Sequence, residues 1–223
     1  MSINIAIDGP AGAGKSTIAK KLAQELGYVY VDTGAMYRAM AYYFLQQGID
    51  KTDEAAINAA VDGADVTIRY VDGAQQVLLN GEDVTGSLRS EQVGNMASNT
   101  SVYPAVRVKL VALQQKLAQT TDVIMDGRDI GTCVLPDAQV KIYLTASVGT
   151  RAKRRYDELV EKKGEQPDLE KIEADIEERD YRDMHREMSP LRQADDAVLV
   201  DSSEMNIEQV VSAILEIVKE KQA

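Results

Sequence analysis

A phosphate-binding loop is the clearest chemical signal in this sequence. Residues 9–17 read Gly-Pro-Ala-Gly-Ala-Gly-Lys-Ser-Thr and match the pattern G-x-x-x-x-G-K-[ST] in full. The glycines let the backbone curl, so that successive N–H groups can point at phosphate oxygens. Lys15 would reach the terminal phosphates of a nucleoside triphosphate, and the Ser16 hydroxyl would ligate Mg²⁺. The residues predicted to bind the triphosphate are Gly9, Pro10, Ala11, Gly12, Ala13, Gly14, Lys15, Ser16 and Thr17.

The sequence around this loop supplies the structural context that the pattern needs. An apolar run at residues 3–7 predicts a buried strand before the loop, and Ile18, Leu22 and Leu26 predict one face of a helix after it. A loop at a strand-to-helix turn also benefits from the positive end of the helix. The alternative is a glycine-rich turn that has acquired the pattern by chance. We expect Lys15 to lie in an exposed part of this loop.

Two further clusters of polar residues follow predicted strands. Residues 32–38 (Asp-Thr-Gly-Ala-Met-Tyr-Arg) combine a carboxylate, a hydroxyl, a phenol and a guanidinium, although Asp-Thr-Gly is also a good helix cap. Residues 126–132 (Asp-Gly-Arg-Asp-Ile-Gly-Thr) offer Asp126 as a carboxylate near Mg²⁺. The alternative for this second cluster is a turn with a self-satisfied ion pair between Arg128 and Asp129. Because parallel sheets bind ligands at the carboxyl ends of their strands, both clusters are candidate site segments.

A third cluster, residues 179–186, reads Arg-Asp-Tyr-Arg-Asp-Met-His-Arg at the end of a predicted helix. Arg179, Asp183 and Arg186 are spaced by four and three residues and therefore share a helix face. A solvated charged face is the alternative for this spacing. Arginine suits phosphate because its planar fork makes bidentate hydrogen bonds.

The elements that must position these clusters predict an α/β fold. Five short apolar runs predict strands at residues 3–7, 28–31, 123–125, 140–144 and 197–200. Helical patterns lie between or after them, so we expect a doubly wound parallel sheet of about five strands. Asp72-Gly73 and Asn80-Gly81 predict the turns of a small antiparallel β insert at about residues 62–90, which could also be a surface decoration without function. We expect one domain over residues 1–223.

Composition limits the partners and the compartment. The net charge of −11 argues against a nucleic-acid-binding surface. No apolar stretch is long enough to span a membrane, and the N-terminus lacks the basic region of a signal peptide. Cys133 is the only cysteine, which excludes an intramolecular disulfide and fits the reducing cytoplasm; we expect it to be buried. We expect a monomer that binds small molecules, with no membrane or nucleic-acid partner.

Taken together, the phosphate-binding loop and the three clusters resemble the bacterial cytidylate kinases, which are P-loop nucleoside monophosphate kinases. The resemblance covers residues from about 3 to the final helix and includes the β insert, which in that family enlarges the nucleoside-monophosphate lobe. It implies transfer of the γ-phosphoryl group of ATP to CMP or dCMP, with ATP and Mg²⁺ as cofactors.

The resemblance also implies individual roles. Arg38 and Arg128 would hold the phosphate of CMP, and Tyr37, Arg179 and Asp183 would flank the ribose. The residues implied to surround the cytosine are Thr33, Ser98, Arg107, Asp129 and Arg186. The residues implied to form a helical lid, at about 151–170, that closes over the phosphates are Arg151, Arg154 and Arg155. With Lys15 and Arg128, these lid arginines are the candidate catalytic residues.

Two other functions fit the phosphate-binding loop alone. One is a kinase for another small molecule, such as a sugar or shikimate, which would not need the β insert or a base-facing polar set. The other is a nucleotide-dependent switch that binds a protein partner. The sequence has no guanine-reading Asn-Lys-x-Asp motif, and its arginine clusters exceed what a switch requires.

Overall fold

Strands and helices alternate along the chain in the computed structural model, which describes residues 2–164 and 167–222. The strands are β1 Asn4–Asp8, β2 Val29–Asp32, β3 Val66–Val71, β4 Ala74–Leu79, β5 Glu82–Asp83, β6 Val123–Gly127, β7 Val140–Thr145 and β8 Val198–Asp201. The α-helices are α1 Lys15–Leu26, α2 Thr33–Gln46, α3 Glu54–Ala60, α4 Glu91–Thr100, α5 Pro104–Thr120, α6 Val148–Lys163, α7 Leu169–His185 and α8 Ile207–Gln222. A single π-helical turn covers Ile130–Val134.

The main sheet confirms the predicted fold class. Within residues 2–164 and 167–222, it has five strands in the order β2-β6-β1-β7-β8. The pairs β1–β6, β1–β7 and β7–β8 are parallel. Each of the five predicted strands is present, with bounds that differ by one or two residues. Strand order reverses at β1, so its carboxyl end lies at the crevice where such sheets bind ligands.

The core of this sheet explains why its strands are short apolar runs. Ile5 and Ile7 of β1 and Ile142 of β7 are at most 1% exposed, because helices cover the sheet. The apolar face of α1, including Ile18 and Leu22, packs into the same core. The apolar stripe of α8 joins it through residues such as Ile214.

The predicted β insert is present as an antiparallel sheet in the order β3-β4-β5. Asp72 and Gly73 have φ values of 51° and 75°, and Asn80 and Gly81 have values of 52° and 86°. Positive φ at both central residues is the geometry that makes Asp-Gly and Asn-Gly strong hairpin signals. The Gln75 side chain accepts a hydrogen bond from the backbone N–H of Asp32 and donates one to its carbonyl, so the insert is fixed to the start of α2.

The chain divides into two compact units. One unit runs over Met1–Tyr30 and Thr121–Ala223, and it contains the phosphate-binding loop and the helices α1 and α6–α8. The other unit runs over Val31–Thr120 and contains α2–α5 with the antiparallel sheet. Its core is built on Met36, Met40 and Phe44 of α2, each 0% exposed.

The structure bears on three smaller features of the sequence: the exposure of Cys133, the segment 161–167 and the length of the apolar helices. Cys133 is exposed rather than buried, because it sits on the outer side of the π-helical turn. The segment 161–167 is polar and contains Gly164 and Pro167, a composition typical of a surface loop, but α6 continues to Lys163; Glu165 and Gln166 lie outside the described residues. Across the described part of the chain, no helix is both long and apolar enough to cross a membrane.

Candidate active site

The phosphate-binding loop has the backbone conformation that its glycines predict. Gly9, Gly12 and Gly14 have φ values of 148°, 77° and 88°, a region that side chains disfavour. A Cβ atom on Gly9 would lie 1.9 Å from the carbonyl oxygen of Leu144 in β7. The loop therefore passes so close to the sheet that only glycine fits, and Gly14 then caps the start of α1.

Lys15 is buried, in contrast to the exposed position expected from sequence. It is 5% exposed, and its Nζ donates a hydrogen bond of 2.7 Å to the Pro10 carbonyl oxygen. Burial, and after it the positive charge of Arg128, lowers the pKa of Lys15 to about 7. The loop thus folds around the Lys15 side chain, and the Pro10 carbonyl oxygen fixes the position of its Nζ atom.

Ser16 and Asp126 lie together, as expected for a magnesium site. Ser16 Oγ donates a hydrogen bond of 2.8 Å to Asp126 Oδ2, and the Tyr30 hydroxyl donates one of 2.8 Å to Asp126 Oδ1. The described residues contain no group of three His, Cys, Asp or Glu side chains that could hold a metal ion. A hydroxyl and one carboxylate fit Mg²⁺, which usually keeps waters and binds substrate phosphates in addition to one or two carboxylates.

Asp8 is a site residue that the sequence analysis missed. Its carboxylate accepts hydrogen bonds from the backbone N–H groups of Ile130 and Gly131, at 2.8 and 2.7 Å. Burial raises the pKa of Asp8 to about 6, although both hydrogen bonds act in the opposite direction. The available signal was a carboxylate that ends an apolar strand directly before the phosphate-binding loop. Asp8 joins β1 to the turn that follows Arg128 and Asp129.

Two ion pairs, one partly buried and one buried, join the segment 126–132 to the end of α7. Arg128 Nε donates to Asp183 Oδ2 at 2.9 Å. Arg186 NH2 donates to Asp129 Oδ1 at 3.3 Å, and both side chains are less than 10% exposed. Sequence clusters separated by more than 50 residues thus meet within one unit.

The Arg128–Asp183 pair holds its charges firmly. Burial by itself would lower the pKa of Arg128, but the Asp183 carboxylate together with Asp126 and Asp180 offsets this and raises it. Burial would raise the pKa of Asp183, yet Arg128 holds it below its usual value. Both groups are therefore charged at neutral pH. Arg179, on the same helix, is exposed.

The three arginines expected to form a lid lie on α6, as their spacing predicts, but they have different surroundings. Arg151 is 4% exposed and pairs with Asp180 of α7 at 2.7 Å. Arg154 NH2 donates to the Ser202 carbonyl oxygen at 2.7 Å. Arg155 is about half exposed and pairs with Glu158 at 2.9 Å. Their spacing of three and four residues places them on one side of α6, but they bind different partners and differ in exposure, so they do not form one solvated basic face.

The remaining predicted site residues belong to the unit Val31–Thr120. Asp32 caps α2 by accepting from Ala35 N at 2.8 Å, and Arg38 NH2 lies 3.2 Å from its Oδ2 atom. The Arg107 guanidinium lies 5.9 Å from the centre of the Tyr37 ring, within the range of a cation–π contact. Thr33 is buried in the first turn of α2, and Ser98 is half-buried on α4.

Comparisons with known proteins identify one family over nearly the whole chain. The cytidylate kinase family model matches residues 5–220. The cytidylate kinase of Lactobacillus johnsonii is 50% identical over 220 residues, which are 99% of this chain and 95% of that protein. The cytidylate kinase of Caldicellulosiruptor saccharolyticus is 52% identical over 215 residues, which are 96% of this chain and 95% of that protein.

A comparison of folds agrees with this match. A crystal structure of an uncharacterized protein from Eubacterium ventriosum aligns with a TM-score of 0.54 at 13% identity, over 98% of this chain and 99% of that one. At this identity the likeness supports the fold and carries nothing about activity.

Proposed function

Because the chain belongs to the cytidylate kinase family, we propose that it transfers the γ-phosphoryl group of ATP to CMP or dCMP, giving ADP and CDP or dCDP. The observation that carries the proposal lies in the unit that contains the phosphate-binding loop. There Asp183 holds Arg128 in a partly buried ion pair, and Arg186 holds Asp129 in a buried one. The two carboxylates fix the positions of the Arg128 and Arg186 guanidinium groups, which can then contact an acceptor nucleotide in the same unit as the phosphate-binding loop.

The chemistry needs positioning and charge neutralisation rather than a protein nucleophile. A phosphate oxygen of the acceptor attacks in line, and it is already largely ionised near neutral pH. The loop amides and Lys15 bind the triphosphate, and the arginines offset the repulsion between the two nucleotides. Phosphate beside the Lys15 ammonium stabilises its charged form, which burial alone disfavours.

We further propose Mg²⁺ as the metal cofactor, with Ser16 and Asp126 as its protein contacts. The hydrogen bond between Ser16 Oγ and Asp126 Oδ2 supports this choice, because it shows that the two oxygens are close enough to contact one metal ion. Bound Mg²⁺ would supply charge neutralisation on the phosphate oxygens during transfer. Tyr30 donates to the other Asp126 oxygen and fixes the orientation of the carboxylate.

The acceptor roles that the resemblance implies remain proposals. Arg38 and Arg128 bind the phosphate of CMP, while Tyr37, Arg179 and Asp183 flank its ribose. Contacts to the cytosine are proposed for Thr33, Ser98, Arg107, Asp129 and Arg186. Within residues 31–120, the stacking of Arg107 on Tyr37 supports a built polar surface. Within the other unit, the Asp129–Arg186 pair presents a carboxylate and a guanidinium together, which match the amino group and the acceptors of cytosine.

Further proposals concern the cellular setting. We propose that the enzyme acts as a monomer in the cytoplasm, in pyrimidine nucleotide metabolism. Its single cysteine is consistent with a reducing compartment. We also propose that residues 1–223 are one kinase domain, in which the β insert at about 62–90 belongs to the nucleoside-monophosphate lobe and α6 begins a lid at about 151–170.

One panel of assays tests the proposed function. Purified protein is mixed with ATP and Mg²⁺ and with CMP, dCMP, UMP, AMP, GMP, shikimate or gluconate in turn, and ADP release is measured. We expect turnover with CMP and dCMP far above every other acceptor. Preferred turnover of shikimate or gluconate would indicate another small-molecule kinase, and ATP hydrolysis that no acceptor stimulates would indicate a switch. The Lys15→Ala variant controls for contaminating kinases.

A further inference from the structure

Asp180 of α7 lies within the third sequence cluster and makes a buried ion pair, but no role in the proposed acceptor contacts is assigned to it. Its Oδ2 atom lies 2.7 Å from Arg151 NH2, and the two side chains are 11% and 4% exposed. Its Oδ1 atom is buried and has no hydrogen-bond partner among the described residues. A buried carboxylate held by a single guanidinium is costly, so the contact needs an explanation beyond stability.

Arg151 connects this carboxylate to the phosphate-binding loop. Its NH1 donates to the Ala11 carbonyl oxygen at 2.9 Å, and its Nε donates to the Ala146 carbonyl oxygen at 2.9 Å. A Cβ atom built on Gly12 would lie 3.4 Å from Arg151 Cβ. The backbone at Ala11 and Gly12 therefore contacts Arg151 at two places: the guanidinium group binds the Ala11 carbonyl, and the aliphatic part of the side chain packs beside Gly12.

Asp180 also stands between two proposed acceptor-binding residues. Arg179 precedes it, and Asp183 lies three residues later, on the same side of α7. Asp183 pairs with Arg128, whereas Asp180 pairs with Arg151. On this side of α7, Asp183 therefore contacts Arg128, which is proposed to bind the acceptor phosphate. Asp180 contacts Arg151, which supports the phosphate-binding loop.

We propose that Asp180 is a positioning residue that, through Arg151, fixes the phosphate-binding loop at Ala11–Gly12 relative to α7. The proposal rests on the proposed function only in taking α7 as the acceptor-binding helix. Nε, NH1 and NH2 of Arg151 each contact a protein oxygen. Among the contacts that the structure gives for Arg151 in the described residues, only the one with Asp180 is to a charged oxygen. Loss of that charge lets the guanidinium turn away and frees the Ala11 carbonyl.

The test compares Asp180→Asn with Glu178→Gln. Glu178 is an exposed residue of the same helix that pairs with Arg182 at 3.6 Å, so its variant makes the same chemical change away from the loop. Binding of a non-hydrolysable ATP analogue is measured by calorimetry without acceptor, well below the unfolding temperature. We expect roughly tenfold weaker binding for Asp180→Asn, as for loss of a hydrogen bond between charged groups, and no change for Glu178→Gln.

A second variant separates positioning from general destabilisation. Arg151→Lys keeps the charge but loses the fork that joins Asp180 to Ala11. We expect it to weaken the analogue as much as Asp180→Asn does, and the double variant to be no worse than the weaker-binding single variant. Additive losses, or analogue affinity within twofold of wild type in a folded Asp180→Asn protein, would overturn the proposal. If Asp180→Asn does not fold, Arg151→Lys is judged by the same affinity limit.

The proposed function can fail independently. If the wild-type protein binds the analogue but phosphorylates neither CMP nor dCMP, the acceptor assignment is wrong. In that case weaker analogue binding by Asp180→Asn still supports the link between Asp180 and the loop. If turnover is normal and the analogue binds Asp180→Asn as well as it binds wild type, only the positioning role is wrong.

Discussion

The Ser16 hydroxyl and the Asp126 carboxylate are joined by a hydrogen bond of 2.8 Å, although 110 residues separate them in sequence. The contact exists because Ser16 lies in the first turn of α1, which follows β1 and the phosphate-binding loop. Asp126 lies at the carboxyl end of β6, which pairs in parallel with β1. The register places Ile7 opposite Asp126, so the two site segments leave the sheet at the same edge.

We expect Asp126→Asn to raise the Mg²⁺ concentration needed for half-maximal activity by roughly tenfold or more, as when a group that orients or binds a metal is lost. Titration of Mg²⁺ at saturating ATP measures this. Tyr30→Phe removes the other hydrogen bond to Asp126 but leaves the carboxylate, so it should raise this concentration less than Asp126→Asn does. Identical Mg²⁺ curves for wild type and Asp126→Asn would contradict the assignment.

Replacement of Lys15 should separate activity from folding. Lys15→Met keeps most of the buried volume and removes the ammonium that donates to Pro10. We expect kcat to fall by about 10²–10³, the usual cost of losing one donor that stabilises transition-state charge. Circular dichroism should show unchanged secondary structure. A folded Lys15→Met protein with near-normal turnover would rule out the proposed role of this loop.

The pKa of Asp8 predicts a pH-dependent contribution to stability. It is raised from 3.8 to about 6 by burial, with Asp129 adding repulsion and Lys15 opposing it. A raised pKa means that the folded protein binds the proton more tightly than the unfolded chain. The contribution of Asp8 is therefore fully present below about pH 4 and is lost as pH rises through about 6.

Denaturant unfolding of wild type and Asp8→Asn between pH 4 and 7 checks this sign. We expect the free energy of unfolding of wild type to fall relative to Asp8→Asn over this range, by an amount on the order of 3 kcal/mol at most. If the free energy of unfolding of wild type instead rose with pH relative to that of Asp8→Asn, the raised pKa of Asp8 would be contradicted.

Much of this arrangement was predictable from local pattern, and the exceptions have physical causes. Residues 3–7 and 140–144 are rich in apolar and β-branched side chains, as suits strands whose faces are covered by helices, so a local pattern is enough to predict them. Asp72-Gly73 specified its hairpin through the positive φ values that the turn demands. Such signals are local, and a sequence displays them directly.

Long-range pairings carried no such signal. Nothing adjacent to Asp8 indicates that its partners are the N–H groups of Ile130 and Gly131. The burial of Lys15 and the exposure of Cys133 also depend on how a turn folds back, which residue type does not encode. The spacing of Arg151, Arg154 and Arg155 predicted their helix but not their partners, which come from elements up to 140 residues away.

Base selectivity should depend on the Asp129–Arg186 pair. A carboxylate that accepts from the amino group of cytosine would face a carbonyl in uracil and stay unpaired, at a cost of about 1–3 kcal/mol. We expect wild type to prefer CMP over UMP, and Arg186→Gln to lower kcat/KM for CMP by roughly 10-fold or more while KM for ATP changes little. Equal kcat/KM of the wild type for CMP and UMP would refute this pocket.

Arg182→Gln is the control for that variant. Arg182 lies near Arg186 in sequence but is exposed and pairs with Glu178. Steady-state kinetics at varied CMP should leave it close to wild type. If both arginine variants lose CMP efficiency equally, general loss of positive charge explains the effect better than a contact to the base.

The lid arginines give the last prediction. Arg151 is buried and contacts the Ala11 and Ala146 carbonyl oxygens and Asp180, whereas Arg154 and Arg155 each have fewer such contacts. We therefore expect the direct catalytic contact to come from Arg154 or Arg155. A guanidinium delivered to the migrating phosphoryl group contributes about 10³–10⁵-fold in kcat in other phosphoryl-transfer enzymes. We therefore expect Arg154→Ala or Arg155→Ala to lower kcat far more than it raises KM for ATP or CMP.

Lys153→Ala is the matched control, because Lys153 is an exposed cation of the same helix paired with Asp157. It should retain wild-type kcat, which separates delivery of a specific guanidinium from the general charge of α6. Arg151→Ala should differ from both by weakening ATP binding, since it removes the support of the phosphate-binding loop. If Arg154→Ala and Arg155→Ala both keep kcat within about threefold of Lys153→Ala, well under 1 kcal/mol, the two arginines form a solvated helix face and no lid acts through them.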